Sequence, residues 1–536
     1  MAAILKTSHL GEIQGKAEDG VTNYLGIQYA TLKNRFADPE LVETRSGDIL
    51  DATNNGPTPF LPSGGYTHEL DHVQHTLPKK ELSQSDVDGL NLNIAVPSDA
   101  TPDSKLPVLF FIHGGGLSTG SSAWPQYDLT RIVQLSIEKN VPMVIVTIDY
   151  RLGAAGFLTS EELREAGYKA NNGLRDQRVA LEWVQKHIQD FGGDPENVTA
   201  AGQSAGGASV THHLHSTKPL FKRAIAMGGS SLPVIALPYV AHEANYDRAI
   251  SALGLTDATP EERIKALLEI PGEELVLKLA PSTRTAAAID GDFIRPGVTF
   301  NEISKPGSEL LPGKTWCQDL LIGCNELDSS ILAFLMPQIK VNTTKKFIAA
   351  IHKVLALYPE EAKRIRETYE INDDTPNEQA YPSVLTFMND ILYTASTLAF
   401  ASGWKETGNA YVYYFNEGNP WEGPWKGHAN HVLDVAFLFQ NFREFLSPEQ
   451  QAVGIAFAED IFKFCYGQAS WPATASGDIE NGFSARIYGP SQEGITATVS
   501  SQAFGGETRR QSILFDCASQ VHLDEFMKVV GEFISN

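Results

Sequence analysis

The chain has 536 residues, of which 42% are hydrophobic and 20% are charged, and this composition is typical of a soluble globular protein rather than a disordered or fibrous one. The formal net charge of −23, spread along the sequence, would repel phosphate backbones and anionic lipid surfaces, which argues against nucleic acid as a partner. The four cysteines show neither the pattern of a disulfide scaffold nor the short spacings of a zinc site, which predicts a reducing compartment.

The first residues and the hydropathy pattern predict where the protein resides. Polar residues interrupt the amino terminus before an apolar stretch of signal-peptide length can form. No segment reaches the roughly twenty apolar residues of a membrane helix. We therefore expect a cytoplasmic protein without a membrane span.

Length alone predicts two or more domains, but the chain contains no internal repeat and no long low-complexity linker. The segments 51–66, rich in Gly, Pro and Asn, and 470–501, rich in Gly, Ser and Thr, predict surface loops. A division into independent domains therefore has no support in the sequence.

Short apolar segments alternate with helical patterns in the first half of the chain. The segments 106–112 (LPVLFFI) and 141–148 (VPMVIVTI) are rich in β-branched and aromatic residues and predict buried strands. The segment 173–191 has apolar residues at helical spacing. This alternation predicts an α/β fold, with a large and mostly parallel central sheet flanked by helices on both faces.

A run of glycines follows the first of these strands. The sequence HGGG at 113–116 allows the backbone to turn its N–H groups toward a substrate carbonyl oxygen, as an oxyanion hole requires. We therefore predict that Gly115 and Gly116 donate to the oxyanion, and that His113 is a packed structural residue.

Ser204 stands at the centre of the sequence GQSAG at 202–206, after the strand-like segment 197–201 and before the helix-compatible segment 208–214. This is the strand, sharp turn and helix that a nucleophile elbow needs. Glycines two positions on either side are required because the strained turn leaves no room for a Cβ atom. The pattern predicts that Ser204 is the nucleophile and that the N–H of Ala205 is a third oxyanion donor.

Taken together and in order, these motifs resemble the type-B carboxylesterase family, relatives of the cholinesterases and of some fungal lipases, and we assign the chain to a fungal-type branch of it. The matching segments are HGGG (113–116), YRLGAAGF (150–157), NNGLRDQR (171–178), FGGDP (191–195) and GQSAGG (202–207). The resemblance implies one α/β-hydrolase domain over residues 1–536, which overrules the prediction from length. It also implies a serine esterase that acts on a small-molecule hydrophobic ester and requires no cofactor and no metal.

The resemblance also indicates the acid of a catalytic triad. The family shows an acidic segment after the nucleophile, and the matching residues here are 323–329 (GCNELDS). The catalytic carboxylate falls on Asp328, where most relatives carry Glu, and Glu326 is the alternative. Its task is to accept a hydrogen bond from the imidazole Nδ1–H and to stabilise the imidazolium.

Two histidines compete for the role of general base, His428 and His431. The family histidine is followed by an acid at three residues, an aliphatic residue at four, and aromatic residues at six and eight. His431 meets all four conditions, with Asp434, Val435, Phe437 and Phe439. His428 meets none of them, so we predict a triad of Ser204, Asp328 and His431.

Other polar clusters receive structural interpretations. The segment 68–75 is rich in metal-ligand residue types but lacks zinc spacing, and the resemblance implies a loop there, at the mouth of the active-site gorge. The histidines at 212, 213 and 215 are expected to pack around the helix after the nucleophile. Gln203 stands where cholinesterases have Glu, which argues against choline esters. Leu117, Trp421 and Trp425 either line a hydrophobic pocket for a bulky ester or belong to the core.

Two other functions are compatible with these motifs. An acyltransferase or cyclase would use the same acyl-enzyme and deliver the acyl group to an alcohol or amine instead of water. A catalytically inactive binding protein of the cholinesterase-like kind would generally lack the serine or the histidine, and here both are present.

Overall fold

The computed structural model describes residues 2–404, 408–474, 483–500, 517 and 520–535. The strands are β1 (Ala2–Lys6), β2 (Glu12–Glu18), β3 (Val21–Gln28), β4 (Ala30–Thr31), β5 (Glu40–Leu41), β6 (Leu50–Asp51), β7 (Asn91–Pro97), β8 (Leu106–Ile112), β9 (Val144–Ile148), β10 (Gly193–Gln203), β11 (Arg223–Met227), β12 (Asp319–Asn325), β13 (Asn409–Phe415), β14 (Ser484–Tyr488) and β15 (Thr496–Ser500).

The α-helices are α1 (Gly65–Val73), α2 (Thr130–Glu138), α3 (Gly153–Phe157), α4 (Glu161–Glu165), α5 (Asn172–His187), α6 (Ala205–His213), α7 (Tyr239–Ala252), α8 (Pro260–Glu269), α9 (Gly272–Leu279), α10 (Phe300–Ile303), α11 (Ser330–Leu335), α12 (Thr343–Val354), α13 (Pro359–Thr368), α14 (Asn377–Asn389), α15 (Ser396–Ser402), α16 (Leu433–Leu438), α17 (Pro448–Cys465) and α18 (Leu523–Ser535). Short 3₁₀ segments lie at Pro125–Tyr127, Ile188–Phe191, Pro312–Thr315, Pro337–Lys340 and Arg443–Phe445.

One 13-stranded mixed sheet organises the described chain. Its middle is parallel and runs in the order β9, β8, β10, β11, β12, β13, β14. Antiparallel pairs extend it through β7, β3, β2 and β1 at one end and through β15 at the other. Because neighbouring parallel strands end at the same edge of the sheet, residues that follow β10, β12 and β13 can meet there.

The sheet is buried on both faces, which explains the continuous apolar runs in its central strands. In β8, Val108, Phe110 and Ile112 pack into one hydrophobic core, and Leu109 and Phe111 pack into a second core on the opposite face. Helices cover each of these layers. The predicted strand at 106–112 is confirmed to the residue as β8, whereas β9 begins only at Val144, after Pro142, which cannot donate a ladder hydrogen bond.

A continuous helix over Asn377–Ser402 combines α14, a π-helical segment (Asp390–Ala395) and α15. With a mean hydropathy of 1.2 it is the one described helix that is long and apolar enough to cross a membrane, but 94% of its most apolar window is buried inside the protein. It is a core helix that packs beside β12 and β13.

The expected surface loop at 470–501 is wrong in part, because β14 and β15 pair within it. β14 pairs in parallel with β13 and so extends the central sheet. Residues 475–482 and 501 of that loop lie outside the described residues.

Candidate active site

The nucleophile elbow lies between β10 and α6. Ser204 follows the last residue of β10 and has φ 56° and ψ −123°, a conformation that is strained for a residue with a side chain. The surrounding structure holds it there, since the Ser204 N–H donates to the carbonyl of Met227 at 2.8 Å. The side chain is therefore presented at the carboxyl edge of the sheet, with the amino end of α6 directly behind it.

The glycines of the elbow are required by close backbone contacts. A Cβ atom at Gly202 would lie 2.3 Å from the backbone of Gly206, and one at Gly206 would lie 2.1 Å from the carbonyl oxygen of Ile112. Strand β8, which ends at Ile112, therefore passes directly against the turn. This contact explains why the sequence around Ser204 reads G-x-S-x-G.

Asp328 and His431 form a buried pair at the same edge. The His431 Nδ1 lies 2.6 Å from the Asp328 Oδ1, and the two side chains are 2% and 0% exposed. The second oxygen of Asp328 accepts the N–H of Asn325 at 2.7 Å. A backbone bridge between Leu327 and Asn430 joins the loop after β12 to the loop after β13, which fixes the two side chains against each other.

The other ring nitrogen of His431 contacts Gln203. The Gln203 Nε2 lies 3.3 Å from the His431 Nε2. Since Nδ1–H donates to Asp328, Nε2 carries the lone pair and accepts this bond from the amide. Among the described residues, the Ser204 hydroxyl makes no hydrogen bond to His431, a contact that forms in many enzymes only once substrate is bound.

The glycine loop after β8 lies against the nucleophile. A Cβ atom at Gly114 would come within 3.0 Å of the Ser204 Cβ, and Gly115 and Gly116 have φ values of 102° and 61°. Within the described part of the chain, the N–H groups of Gly115, Gly116 and Ala205 donate to no acceptor. The three predicted donors are thus available to a ligand atom.

The alternative residues Glu326 and His428 lie together at the surface instead. Their side chains are 47% and 52% exposed, and the Glu326 Oε1 is 3.5 Å from the His428 Nδ1. The other oxygen of Glu326 accepts the N–H of Ala429. The Glu326–His428 pair therefore lies at the surface, apart from the buried Asp328–His431 pair.

A second buried carboxylate, Asp434, lies behind the first. Its carboxylate accepts hydrogen bonds from the hydroxyl of Tyr413 at 2.8 Å and from the backbone N–H of Val435 at 2.9 Å. Burial, together with the negative charge of Asp328, raises the pKa of Asp434 to about 6. The sequence analysis used Asp434 only as the acid three residues after His431 and predicted no contact for it.

Helix α1 supplies a histidine that the sequence missed. The segment 68–75 was expected to be a loop, but residues 65–73 are helical, with Leu70 and Val73 on the buried side. The Nε2 of His72 lies 3.1 Å from the Ser330 Oγ, which also accepts the N–H of His431 at 3.0 Å. Burial lowers the pKa of His72 to about 3, so its ring is neutral.

The three-residue spacing of the apolar residues Leu70 and Val73 is the sequence signal that could have predicted this helix. The many metal-ligand residue types in the same segment drew the interpretation away from it. In the described chain, no group of three or more His, Cys, Asp or Glu side chains could hold a metal ion.

The π-helical segment lies beside the Asp328–His431 pair on another side. The ring of Tyr393 lies 6.0 Å from that of His431. Just before the segment, Asn389 at the end of α14 accepts the N–H of Ser329 and donates to the carbonyl of Glu326, each at 3.0 Å. Asn389 therefore contacts the loop that carries Asp328, and Tyr393 contacts His431.

The remaining histidines of the sequence analysis are buried. His113 stacks on Tyr150 with ring centroids 4.6 Å apart, and its Nδ1–H donates to the carbonyl of Gly114. His212, His213 and His215 lie in the core around α6. Each therefore has the packing position that was expected.

The three apolar residues predicted to line a pocket differ in burial. Leu117 is buried beside the glycine loop, whereas Trp421 and Trp425 are partly buried. The Trp425 ring lies 6.2 Å from that of His72. A cavity of about 500 Å³ opens at the amino end of α1, lined among others by Tyr66 and Trp124.

Known proteins resemble this chain over most of its length. The carboxylesterase family matches residues 2–458. The para-nitrobenzyl esterase of Bacillus subtilis (strain 168) is 31% identical over 443 residues, which cover 81% of this chain and 82% of that protein. The acylcarnitine hydrolase of Rattus norvegicus is 30% identical over 465 residues (82% and 78%), and lipase 3 of Yarrowia lipolytica is 28% identical over 478 residues (86% and 88%).

Solved esterase structures share the fold. A Geobacillus stearothermophilus carboxylesterase superimposes with a TM-score of 0.72 at 27% identity, over 95% of this chain and 99% of that one. A PNB esterase superimposes with a TM-score of 0.75 at 24% identity, over 96% and 100%. These neighbours have the α/β-hydrolase fold, which confirms the fold predicted from the sequence.

Proposed function

Because the chain belongs to the carboxylesterase family and is a carboxylic ester hydrolase, we propose that it cleaves its substrate through an acyl-enzyme on Ser204. The observation that carries this proposal is the buried 2.6 Å contact between His431 and Asp328 at the edge of the sheet where Ser204 stands. A serine, a neutral imidazole and a carboxylate in this order are the groups that nucleophilic acyl transfer requires.

In the acylation step, the Ser204 Oγ attacks the ester carbonyl carbon while the His431 Nε2 takes its proton. The hydroxyl thereby replaces the Gln203 amide, which occupies that nitrogen in the free enzyme. The N–H groups of Gly115, Gly116 and Ala205 hold the oxygen that becomes negative. The tetrahedral intermediate then collapses, the bond to the alcohol oxygen breaks, and the imidazolium protonates the leaving alcohol.

In the deacylation step, water takes the place of the alcohol. The His431 Nε2 accepts a proton from the water as its oxygen attacks the acyl carbon, and the same oxyanion donors hold the second intermediate. Collapse releases the carboxylic acid and returns the proton to Ser204. Asp328 keeps Nδ1 protonated throughout and stabilises the imidazolium in both steps.

We propose that the substrate is a hydrophobic ester of a small molecule, as opposed to a macromolecule. The buried Leu117 beside the glycine loop and the partly exposed indole of Trp425 favour an apolar acyl or alcohol group over a charged one. The relatives named for para-nitrobenzyl esters, lipids and acylcarnitines indicate that this architecture accepts several kinds of ester.

Hydrolysis of p-nitrophenyl esters of graded acyl length tests the proposal. We expect turnover by the unmodified protein and a loss on the order of 10⁶-fold in kcat for Ser204→Ala. Ser104→Ala is the matched control, because it removes an exposed hydroxyl that bonds only within its own turn. Turnover that survives in Ser204→Ala, or its absence from the unmodified protein with every ester, would contradict the proposal.

A further inference from the structure

The carboxylate of Glu69, on α1, is the feature of the gorge that the mechanism above leaves unused. Its Oε1 accepts the Nε2–H of Gln126 at 2.9 Å and the hydroxyl of Tyr127 at 2.7 Å. Its other oxygen has no hydrogen-bond partner among the described residues and is not sealed from solvent. Two neutral donors therefore hold one oxygen in place and leave the carboxylate charge uncompensated.

His431 is the charged partner that acts on this carboxylate. Burial raises the pKa of Glu69, and the bonds from Gln126 and Tyr127 and the attraction of a protonated His431 oppose that rise. No cationic side chain in the described chain forms an ion pair with Glu69. The positive charge that this carboxylate faces is thus one that exists only while His431 is protonated.

Helix α1 is fixed to the loop that carries His431, so this relation is rigid. The carbonyl oxygens of His72 and Val73 accept the side-chain amides of Asn430 and Asn419 at 2.8 and 2.9 Å. His72 lies three residues after Glu69 on the same face of the helix, and its ring centroid is 6.2 Å from that of His431. The face of α1 that carries Glu69 is therefore turned toward the base.

The residue that touches the reactive nitrogen of His431 carries no charge. Gln203 contacts Nε2 through its amide nitrogen, and an amide cannot neutralise the imidazolium that forms in each step. Asp328 balances that charge from Nδ1. Glu69, on a helix outside the loops that carry Asp328 and His431, can add a further negative potential at the imidazolium.

We propose that Glu69 is a positioning residue, whose carboxylate, held by Gln126 and Tyr127, acts through His431 by stabilising the imidazolium formed in acylation and deacylation. The inference rests on the proposed function, because it requires His431 to be the general base. It adds to Asp328 and Asp434 a further negative group, supplied by a helix outside the triad loops.

Glu69→Gln is the primary variant, since it keeps the size and the acceptor oxygen and removes the charge. We expect kcat for a neutral p-nitrophenyl ester to fall about tenfold, the scale of a charge interaction across several Å in a partly buried site, with KM unchanged. Asp71→Asn is the matched control, because it removes the same charge from the exposed side of the same helix, and its kcat should equal that of the unmodified protein.

Glu69→Asp and a relocation variant separate charge from structure. Glu69→Asp keeps the charge on a shorter side chain and should retain a higher kcat than Glu69→Gln. Adding Gln203→Glu to Glu69→Gln places a carboxylate beside the imidazolium that forms on His431 and should restore much of the lost kcat. Gln203→Glu alone should bring no gain, because two like charges then share the site.

His431→Ala, measured in parallel, keeps the two hypotheses distinguishable. Full turnover by His431→Ala would overturn the proposed function itself. An inactive His431→Ala beside a Glu69→Gln with unchanged kcat would overturn only the role of Glu69. A Glu69→Gln that changes only KM, and only for positively charged esters, would also overturn it, since Glu69 would then bind substrate. Equal losses in Glu69→Asp and Glu69→Gln, or no rescue by Gln203→Glu, would assign Glu69 a structural role instead.

Discussion

Two buried carboxylates lie within the reach of His431, and their contacts separate their roles. Asp328 bonds the imidazole directly at 2.6 Å. Asp434 accepts hydrogen bonds from Tyr413 and from backbone and acts on His431 only through space. The first therefore controls the tautomer of the imidazole, and the second contributes to the field around it.

Asparagine at each position tests this separation. Asp328→Asn should lower kcat by about 10⁴-fold, because an amide in that place favours the wrong imidazole tautomer. Asp434→Asn should lower it by less than about tenfold, and Glu326→Gln, at the surface, should leave it unchanged. Steady-state rates with one p-nitrophenyl ester measure all three, and a loss in Asp434→Asn as large as that in Asp328→Asn would contradict the assignment.

Residues that lie in sequence motifs could be predicted from the sequence, whereas residues that matter only through contacts in the folded chain could not. Ser204 lies in the nucleophile-elbow motif, Asp328 and His431 follow from the resemblance to the family, and the predicted donors Gly115 and Gly116 lie where a glycine run meets a strand end. The Gln203 contact with His431 depends on the rotamers of two side chains from distant segments, and no spacing encodes it. These assignments of role, like the cytoplasmic location and the fungal-type branch, stand as predictions.

At the scale of elements, the site depends on how α1 and the loop before α16 hold each other. Asn430, fully buried, donates to the carbonyl of His72 at 2.8 Å, accepts the amide of Asn419 at 2.8 Å, and offers its carbonyl to Asn325 at 2.7 Å. It thereby ties α1, the histidine loop and the end of β12 together. The sequence could not predict these contacts, because hydrogen bonds made by side-chain amides between distant segments leave no local sequence pattern.

Asn430→Ala tests the tie between these elements. It leaves several buried groups without partners, so we expect a loss of about 1–3 kcal/mol in the free energy of unfolding together with a lower kcat, since His431 is the next residue. Ser447→Ala is the control, because it removes the N-cap of α17, which costs about 1 kcal/mol far from the triad. Urea unfolding and steady-state rates measure both. An Asn430→Ala protein with normal kcat would contradict the account.

At the scale of the whole molecule, the core buries several neutral histidines. Burial lowers the pKa of His113 and His212 to about 4 and of His72 and His215 to about 3. The unfolded chain takes up these protons below a pH of about 6.5, whereas the folded chain does not. Stability is therefore present above that pH and is lost as the pH falls toward 4. Burial raises the pKa of Asp149 to about 7, and this residue opposes the trend.

We predict a lower free energy of unfolding at pH 5 than at pH 7.5, because the histidines outnumber the buried carboxylates with raised pKa values. His212→Gln, whose amide can still donate to the carbonyl of Val234, should reduce the average slope between these two pH values by about 0.8 kcal/mol per pH unit, because the full effect of about 1.4 applies only below a pH of about 6.5. His428→Gln, at the surface, should leave the slope unchanged. Urea titrations at both pH values measure this, and a stability that rises on acidification would show the sign to be wrong.

The central claim is that Ser204 carries the acyl group, and peptide mass spectrometry after treatment with an organophosphate tests it most directly. The account predicts one phosphoryl adduct per chain, located on the peptide that contains Ser204, with esterase activity lost in proportion to labelling. Labelling should disappear in Ser204→Ala and slow strongly in His431→Ala, because the base is required to activate the hydroxyl. An adduct on a different residue that accompanies the loss of activity, or an unlabelled chain that still hydrolyses esters, would contradict the account.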